Sequence, residues 1–153
     1  RDAGTDADLL LVGPIDNERG EGVIHLNGPR IHHVSYTPCP EQYMAIADVL
    51  CLPSYREGFG TVVIEAAAMG LPTVGTRIYG LTDAIDEGVS GLLVPPRNVS
   101  ELSAALQQLL SDRDLRTRMG EQARARCIAL FDSTQVNQQV AAEYRKLVPV
   151  RPQ

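Results

Sequence analysis

Glu57 and Glu65 stand eight residues apart in PSYREGFGTVVIEAAAMGLP, residues 53–72, separated by two glycines and the start of an apolar run. Val62, Val63, Ile64, Ala66, Ala67, Ala68 and Met69 cover most of a helical circumference, so the pattern predicts a helix buried on nearly all sides with Glu65 as its one charge. A carboxylate in that position needs a partner. The helix start near Gly60 or Thr61 offers one, because its free N–H groups and the positive end of its dipole attract an anion. Gly58 and Gly60, lacking side chains, let a ligand approach the main chain. Glu65 lies about 7 Å further along the axis, at ~1.5 Å per residue, and helical side chains lean back towards the start. A bare diphosphate would be repelled by two carboxylates. A molecule with hydroxyl donors flanking its phosphates would be gripped by Glu57 on one side and Glu65 on the other, and a nucleotide sugar has that layout.

Such a site requires a frame that delivers the helix start to the carboxyl end of a strand. Short apolar runs at residues 7–13, 31–37, 48–54, 72–76 and 91–96 predict strands. Helical patterns at 40–48, 61–70, 81–88 and 99–110 lie between or after them, the last with Asn98 or Ser100 as N-cap. Strand and helix alternating in this way give an α/β fold, a parallel sheet covered by helices on both faces, whose ligands bind at the carboxyl edge. Residues 111–153 carry no strand pattern and predict two or three closing helices, with Ser111 and Ser133 as caps. The segment between Gly13 and Ile31 has turn chemistry and predicts a loop with one short element at most.

The chain has 153 residues and suits a single domain with one core. Its net charge of −5 argues against a nucleic-acid or anionic-lipid footprint, so any phosphate is met locally. Cys39, Cys51 and Cys127 are too few and too scattered for a disulfide framework or a zinc site, which fits a reducing cytosol. No apolar run is long enough to span a bilayer. Opening on RDAGTDADLLLVG, without an initiator Met, the chain reads as a piece of something longer.

The ordered set EGFGTVVIE, AAAMGLPTVGT, GLTDAI and GVSGLLVPPRNVSELSAAL resembles the retaining GT-B glycosyltransferases of the glycosyltransferase-4 (group 1) type, over residues 7–148. PSYREGFG and RIYGLTDAI look most like bacterial enzymes that build lipopolysaccharide, capsule or related surface glycans. The resemblance implies a Rossmann-like domain that is one half of a GT-B fold, the nucleotide-sugar half, with extra C-terminal helices and with the acceptor domain absent. Carried over by position, Glu57 contacts the donor sugar as the catalytic-site carboxylate, and the backbone of Gly58, Phe59 and Gly60 its hydroxyls. Thr61 and Val62 amides hold the diphosphate, Glu65 the ribose hydroxyls, and Thr37 and Pro38 the base. The implied reaction moves a hexose-type residue from a nucleoside diphosphate sugar, commonly a UDP-sugar, to a hydroxyl of a glycan or lipid-linked acceptor held by the missing N-terminal domain, with retention. The departing phosphate takes the acceptor's proton, and the helix end stands in for a metal, so no cofactor is implied. Localisation would be cytoplasmic, at the inner face of the plasma membrane. The family's Arg/Lys pair ahead of the first strand is missing, and the PCPEQ loop lacks the glycine often seen at the base site.

Other readings compete. A sugar-nucleotide 2-epimerase shares the architecture, and a noncatalytic nucleotide-binding module would share the site. Glu65 could be a structural ion paired with Arg77, Glu57 merely solvated, and Arg56 plain surface. His25, His32 and His33 lack metal-ligand spacing, and Cys51 reads as a small buried hydrophobe. The arginines from Arg113 to Arg126 read as a solvated helix face, with peripheral membrane contact set aside because acids intervene.

Overall fold

A computed structural model of the chain describes residues 6–15 and 29–147. The loop expected between Gly13 and Ile31 falls mostly outside the described residues. Strands and helices alternate as β1 Leu9–Val12, β2 Ile31–Val34, α1 Pro40–Met44, β3 Leu50–Leu52, α2 Thr61–Ala68, β4 Thr73–Thr76, α3 Leu81–Ala84 and β5 Gly91–Val94. Three helices follow, α4 Val99–Ser111, α5 Arg113–Phe131 and α6 Ser133–Leu147. Each strand pairing is parallel. The hydrogen-bonded ladder comes in two pieces, β1–β2 and β3–β4–β5, where one continuous sheet was expected. The break falls beside strands with little apolar burial: no residue of β1 or β2 is fully covered, and Leu9 and Val12 are 45% and 40% exposed.

The three-stranded piece carries the core. Its middle strand β4 is buried at all four residues, as a parallel strand covered on both faces must be. Side chains alternate between the faces. On one, Leu50, Leu52 and Leu93 meet Val63 of α2 and Leu81, Ala84 and Ile85 in and after α3. On the other, Val74, Leu92 and Val94 meet Ala105 and Leu109 of α4 and Met119 of α5. The helix expected over 81–88 stops at Ala84 because Ile85 turns to extended backbone, which puts its side chain into the first of these layers. Ser90 Oγ accepts the Asp86 N–H at 2.9 Å and holds the turn that follows.

Asn98 caps α4 as expected, accepting the Glu101 N–H at 3.1 Å. The next two caps are aspartates rather than Ser111 and Ser133. Asp112 accepts the Leu115 N–H at 2.9 Å, and Asp132 those of Thr134 and Gln135 at 3.0 and 3.1 Å. A carboxylate gains attraction to the helix dipole as well as the hydrogen bond. Ser111 instead donates back to the Gln107 carbonyl at 2.7 Å.

The arginine-rich helix α5 is not simply a solvated face. Arg116 donates to the carbonyls ending α4 and pairs with Asp48 at 3.1 Å. Arg126 donates to the Asp83 and Ala84 carbonyls at the end of α3. On the same helix Ala123 and Cys127 pack on Ala67 and Ile64 of α2. Gly120 lies so close to the turn after α2 that a Cβ there would sit 2.0 Å from the Gly70 carbonyl oxygen. Gly120→Ala gains helix propensity but must push two backbones apart, so it should lower unfolding free energy by about 1–3 kcal/mol in urea titration.

Candidate functional site

Pro53–Gly60 carries the chain from β3 into α2 at the carboxyl edge of the sheet, beside the loop Arg77–Gly80 that leaves β4 for α3. Gly60 is the N-cap of α2 in the left-handed region, φ 73 and ψ 54, and a Cβ there would lie 2.6 Å from Leu81 Cδ2. Gly80 has φ +85, and a Cβ on it would lie 2.6 Å from the Gly58 carbonyl oxygen and 3.0 Å from that of Glu57. The two loops thus meet main chain to main chain. Gly80 opens the GLTDAI motif directly before α3, and at its φ of 85 and ψ of −48 glycine alone is unstrained.

Glu57 is half-buried and not merely solvated. Its Oε1 accepts the Ser54 hydroxyl at 2.7 Å, and the Ser54 carbonyl in turn accepts the Thr76 hydroxyl at the end of β4. Ser54 was missed as a site residue because nothing in its spacing distinguishes it from an ordinary loop serine. Gly58 is exposed, and Phe59 stacks edge-on against Phe131, ring centroids 5.5 Å apart. Arg126 covers the Phe131 ring at 5.2 Å.

At the start of α2 the Val63 N–H bonds the Gly60 carbonyl at 2.8 Å. The N–H groups of Thr61 and Val62 meet no protein acceptor among the described residues. The helix has no side-chain cap and no acidic residue in its first turn, so its positive end is left uncompensated by the protein.

Glu65 is exposed, which corrects the expectation of a carboxylate on a helix buried all round. α2 turns Val63, Ala66 and Ala67 into the core and leaves Thr61, Glu65, Ala68 and Met69 open. Ala68 and Met69 are apolar without needing cover, which is why residue type overstated the burial. The pairing with Arg77 does not occur. Arg77 is held by both carboxylate oxygens of Glu87 and donates to the Leu93 carbonyl at 3.1 Å. Among the described residues Glu65 has no ion pair and no side-chain hydrogen bond.

Thr37 and Pro38 follow β2. Thr37 Oγ accepts the Cys39 N–H at 3.1 Å, a local turn ahead of α1, and no described hydrogen bond joins it to the Glu57–Glu65 loop. His33 bonds the Gly13 carbonyl and His32 approaches Asp8, while His25 lies outside the described residues. Cys51 is half-buried in β3, and burial pushes its thiol up. One further feature had no signal in spacing: Arg97, past β5, adopts φ 64 and lays its guanidinium 5.4 Å from the Tyr55 ring centre. Left-handed backbone costs a residue with a Cβ about 1–2 kcal/mol. These two side chains border a cavity of about 70 Å³ shared with Pro53, Thr76, Val94, Asn98 and Leu102.

The arrangement offers two open amides for an anion and, within reach of them, carboxylates that accept hydrogen bonds. Because Glu65 supports nothing in the fold, Glu65→Ala should change unfolding free energy by less than about 0.5 kcal/mol. Gly80→Ala, which drives a Cβ into the Gly58 carbonyl at positive φ, should lower it by about 1–3 kcal/mol in the same urea titration.

A profile of the family described as "Glycosyl transferases group 1" matches residues 5–126. A relative named D-inositol 3-phosphate glycosyltransferase, from Kribbella flavida, is 46% identical over 132 residues, covering 76% of this chain and 30% of its own length. Among solved structures, sucrose-phosphate synthase from Thermosynechococcus elongatus superposes with TM-score 0.85 at 34% identity, over 92% of this chain and 38% of that one. Anabaena Alr3699/HepE in complex with UDP and glucose superposes with TM-score 0.83 at 25% identity, over 91% and 40%. This chain therefore spans a third or less of the curated relatives it matches. Parallel strands clothed by helices on both faces, the fold shared with these GT-B enzymes, and a family match over most of the chain lead to one conclusion: the chain belongs to the group 1 glycosyltransferases.

Proposed function

We propose that the chain is the donor-binding half of a retaining glycosyltransferase of the glycosyltransferase-4 type, with the acceptor domain and the basic Arg/Lys loop on other parts of a longer protein. The observation that carries this reading is the uncompensated start of α2, with free Thr61 and Val62 amides and the exposed, unpartnered Glu65 one turn on. The amides take the diphosphate, and Glu65 accepts hydrogen bonds from the ribose hydroxyls. Glu57, steadied by Ser54, takes the sugar hydroxyls together with the backbone of Gly58, Phe59 and Gly60, and Thr37 and Pro38 lie against the base. The helix end supplies the positive potential that a metal supplies elsewhere, so no cofactor is called for. A solved relative holding UDP and glucose supports a UDP-sugar as donor.

Attack then comes from the face the leaving group departs, with the departing phosphate taking the acceptor's proton, and neither glutamate forms a covalent bond to sugar. On the acceptor side, the relatives' name favours a small phosphorylated polyol over the surface glycan expected from the motifs. Among the described residues no helix is long and apolar enough to cross a membrane. We place the enzyme in the cytoplasm, working at or near the inner face of the plasma membrane.

In the longer enzyme the two carboxylates should separate. Glu65→Ala should weaken UDP and UDP-sugar alike by about 1–3 kcal/mol, the value of hydrogen bonds to a charged group. Glu57→Ala should leave UDP affinity within about threefold while lowering kcat/KM by about tenfold or more, because orientation at the reacting carbon is lost. Calorimetry with UDP and steady-state kinetics with the donor distinguish the two, and equal effects of both substitutions on UDP would overturn the assignment. This chain alone should bind UDP with a dissociation constant of roughly 0.1 to several mM and transfer no sugar.

A further inference from the structure

Arg97 is the one non-glycine residue in the left-handed region among the described residues. Backbone of that kind persists where something else over-determines it. The turn Pro96–Arg97 between β5 and α4, with proline at its first central position, places Arg97 at positive φ, and its side chain has no carboxylate partner among the described residues. What its conformation does achieve is the placement of the guanidinium over Tyr55, from the loop after β5 to the loop after β3.

Tyr55 follows Ser54, and Ser54 holds both ends of the arrangement: its hydroxyl donates to Glu57 and its carbonyl accepts from Thr76. The second half of the loop is already fixed elsewhere, by Gly80 against the Glu57 and Gly58 carbonyls and by Phe131 against Phe59. The first half has Thr76 and Arg97. We propose that Arg97 is a positioning residue for the transfer reaction: it clamps Tyr55, and through Tyr55 and Ser54 it keeps Glu57 aimed at the donor sugar. This rests on the reading of Glu57 as the sugar contact. A cation over an aromatic ring is a modest attraction at an exposed site, which suits fine placement of a loop better than support of a fold.

Arg97→Gly tests the clamp, because it removes the guanidinium and the backbone strain together. A residue needed only for its left-handed backbone would be replaced by glycine at no loss. We expect the thermal midpoint of this chain to stay level or rise, while amide hydrogen exchange across Tyr55–Gly58 quickens about threefold or more. UDP-glucose affinity should fall about three- to tenfold and UDP affinity stay within about twofold, read by NMR titration. Arg97→Lys and Tyr55→Phe keep a cation over a ring and should restore both readouts to within about twofold of the parent. Tyr55→Leu should reproduce Arg97→Gly, with the double substitution no worse than either alone. Unchanged loop exchange in Arg97→Gly overturns the clamp whatever the ligands do. Faster exchange with an unchanged ratio of UDP-glucose to UDP affinity overturns its link to Glu57. A parent chain that binds neither nucleotide overturns the donor-site reading itself, and the positioning role with it.

Discussion

Two loops can touch main chain to main chain only where no Cβ lies between them, and the site depends on that condition at Gly80, which packs on the Gly58 and Glu57 carbonyls. A side chain on Gly80 would occupy the position of the Gly58 carbonyl, and one on Gly60 would occupy that of the Leu81 side chain. The start of α2 is therefore positioned by the start of α3, through two glycines held in the left-handed region. Since α3 is anchored by Leu81, Ala84 and Ile85 in the core, the orientation of the open amides is set by buried apolar surface rather than by polar contacts in the loop. A ligand meeting those amides finds donors already aimed, with no ordering cost left for it to meet.

The small residues of α2 extend that control to the far end of the chain. Ala67 and Ala123 lie in contact, and Gly120 lets α5 settle on the turn after α2, so the two helices approach more closely than larger side chains would allow. The close approach brings Phe131, the last residue of α5, against Phe59 in the loop. Arg126 ties the same helix to the closing carbonyls of α3. One helix thus touches the loop before α2 and the end of α3, which gives the apparently polar arginine run a structural purpose that its charge pattern conceals.

What could be read from the residues follows from how local the cause is. The alternation of strand and helix was legible because apolar period and turn chemistry act within a few residues, and each expected strand and helix from β1 to α4 appears, with shorter ends except in α4, which runs one residue further. Asn98 was legible as a cap for the same reason. The burial of Glu65 was misjudged because periodicity records which residues can be covered, while coverage depends on the neighbours: the Ala68 and Met69 side of α2 has none above it. Ser54 and Arg97 were not legible, since their roles exist only after β3, β4 and β5 are aligned and bring Ser54, Thr76 and Arg97 to one edge.

An acidic chain with two carboxylates at its ligand edge looks poorly suited to a diphosphate, and magnitudes explain why it is not. In water a carboxylate about 8 Å from a doubly charged group is repelled by only about 1 kcal/mol. Glu65 is exposed, and that screened figure applies to it. A hydrogen bond accepted by a charged carboxylate contributes about 1.5–3 kcal/mol. On the proposed reading, Glu65 therefore gains more from a hydroxyl placed against it than it loses to the phosphates. Inorganic diphosphate would meet the repulsion and receive nothing in return. On that reading the two carboxylates would act as a filter as well as a grip: the amides of Thr61 and Val62 would attract any phosphate, and Glu57 and Glu65 would retain the ones that are flanked by sugar.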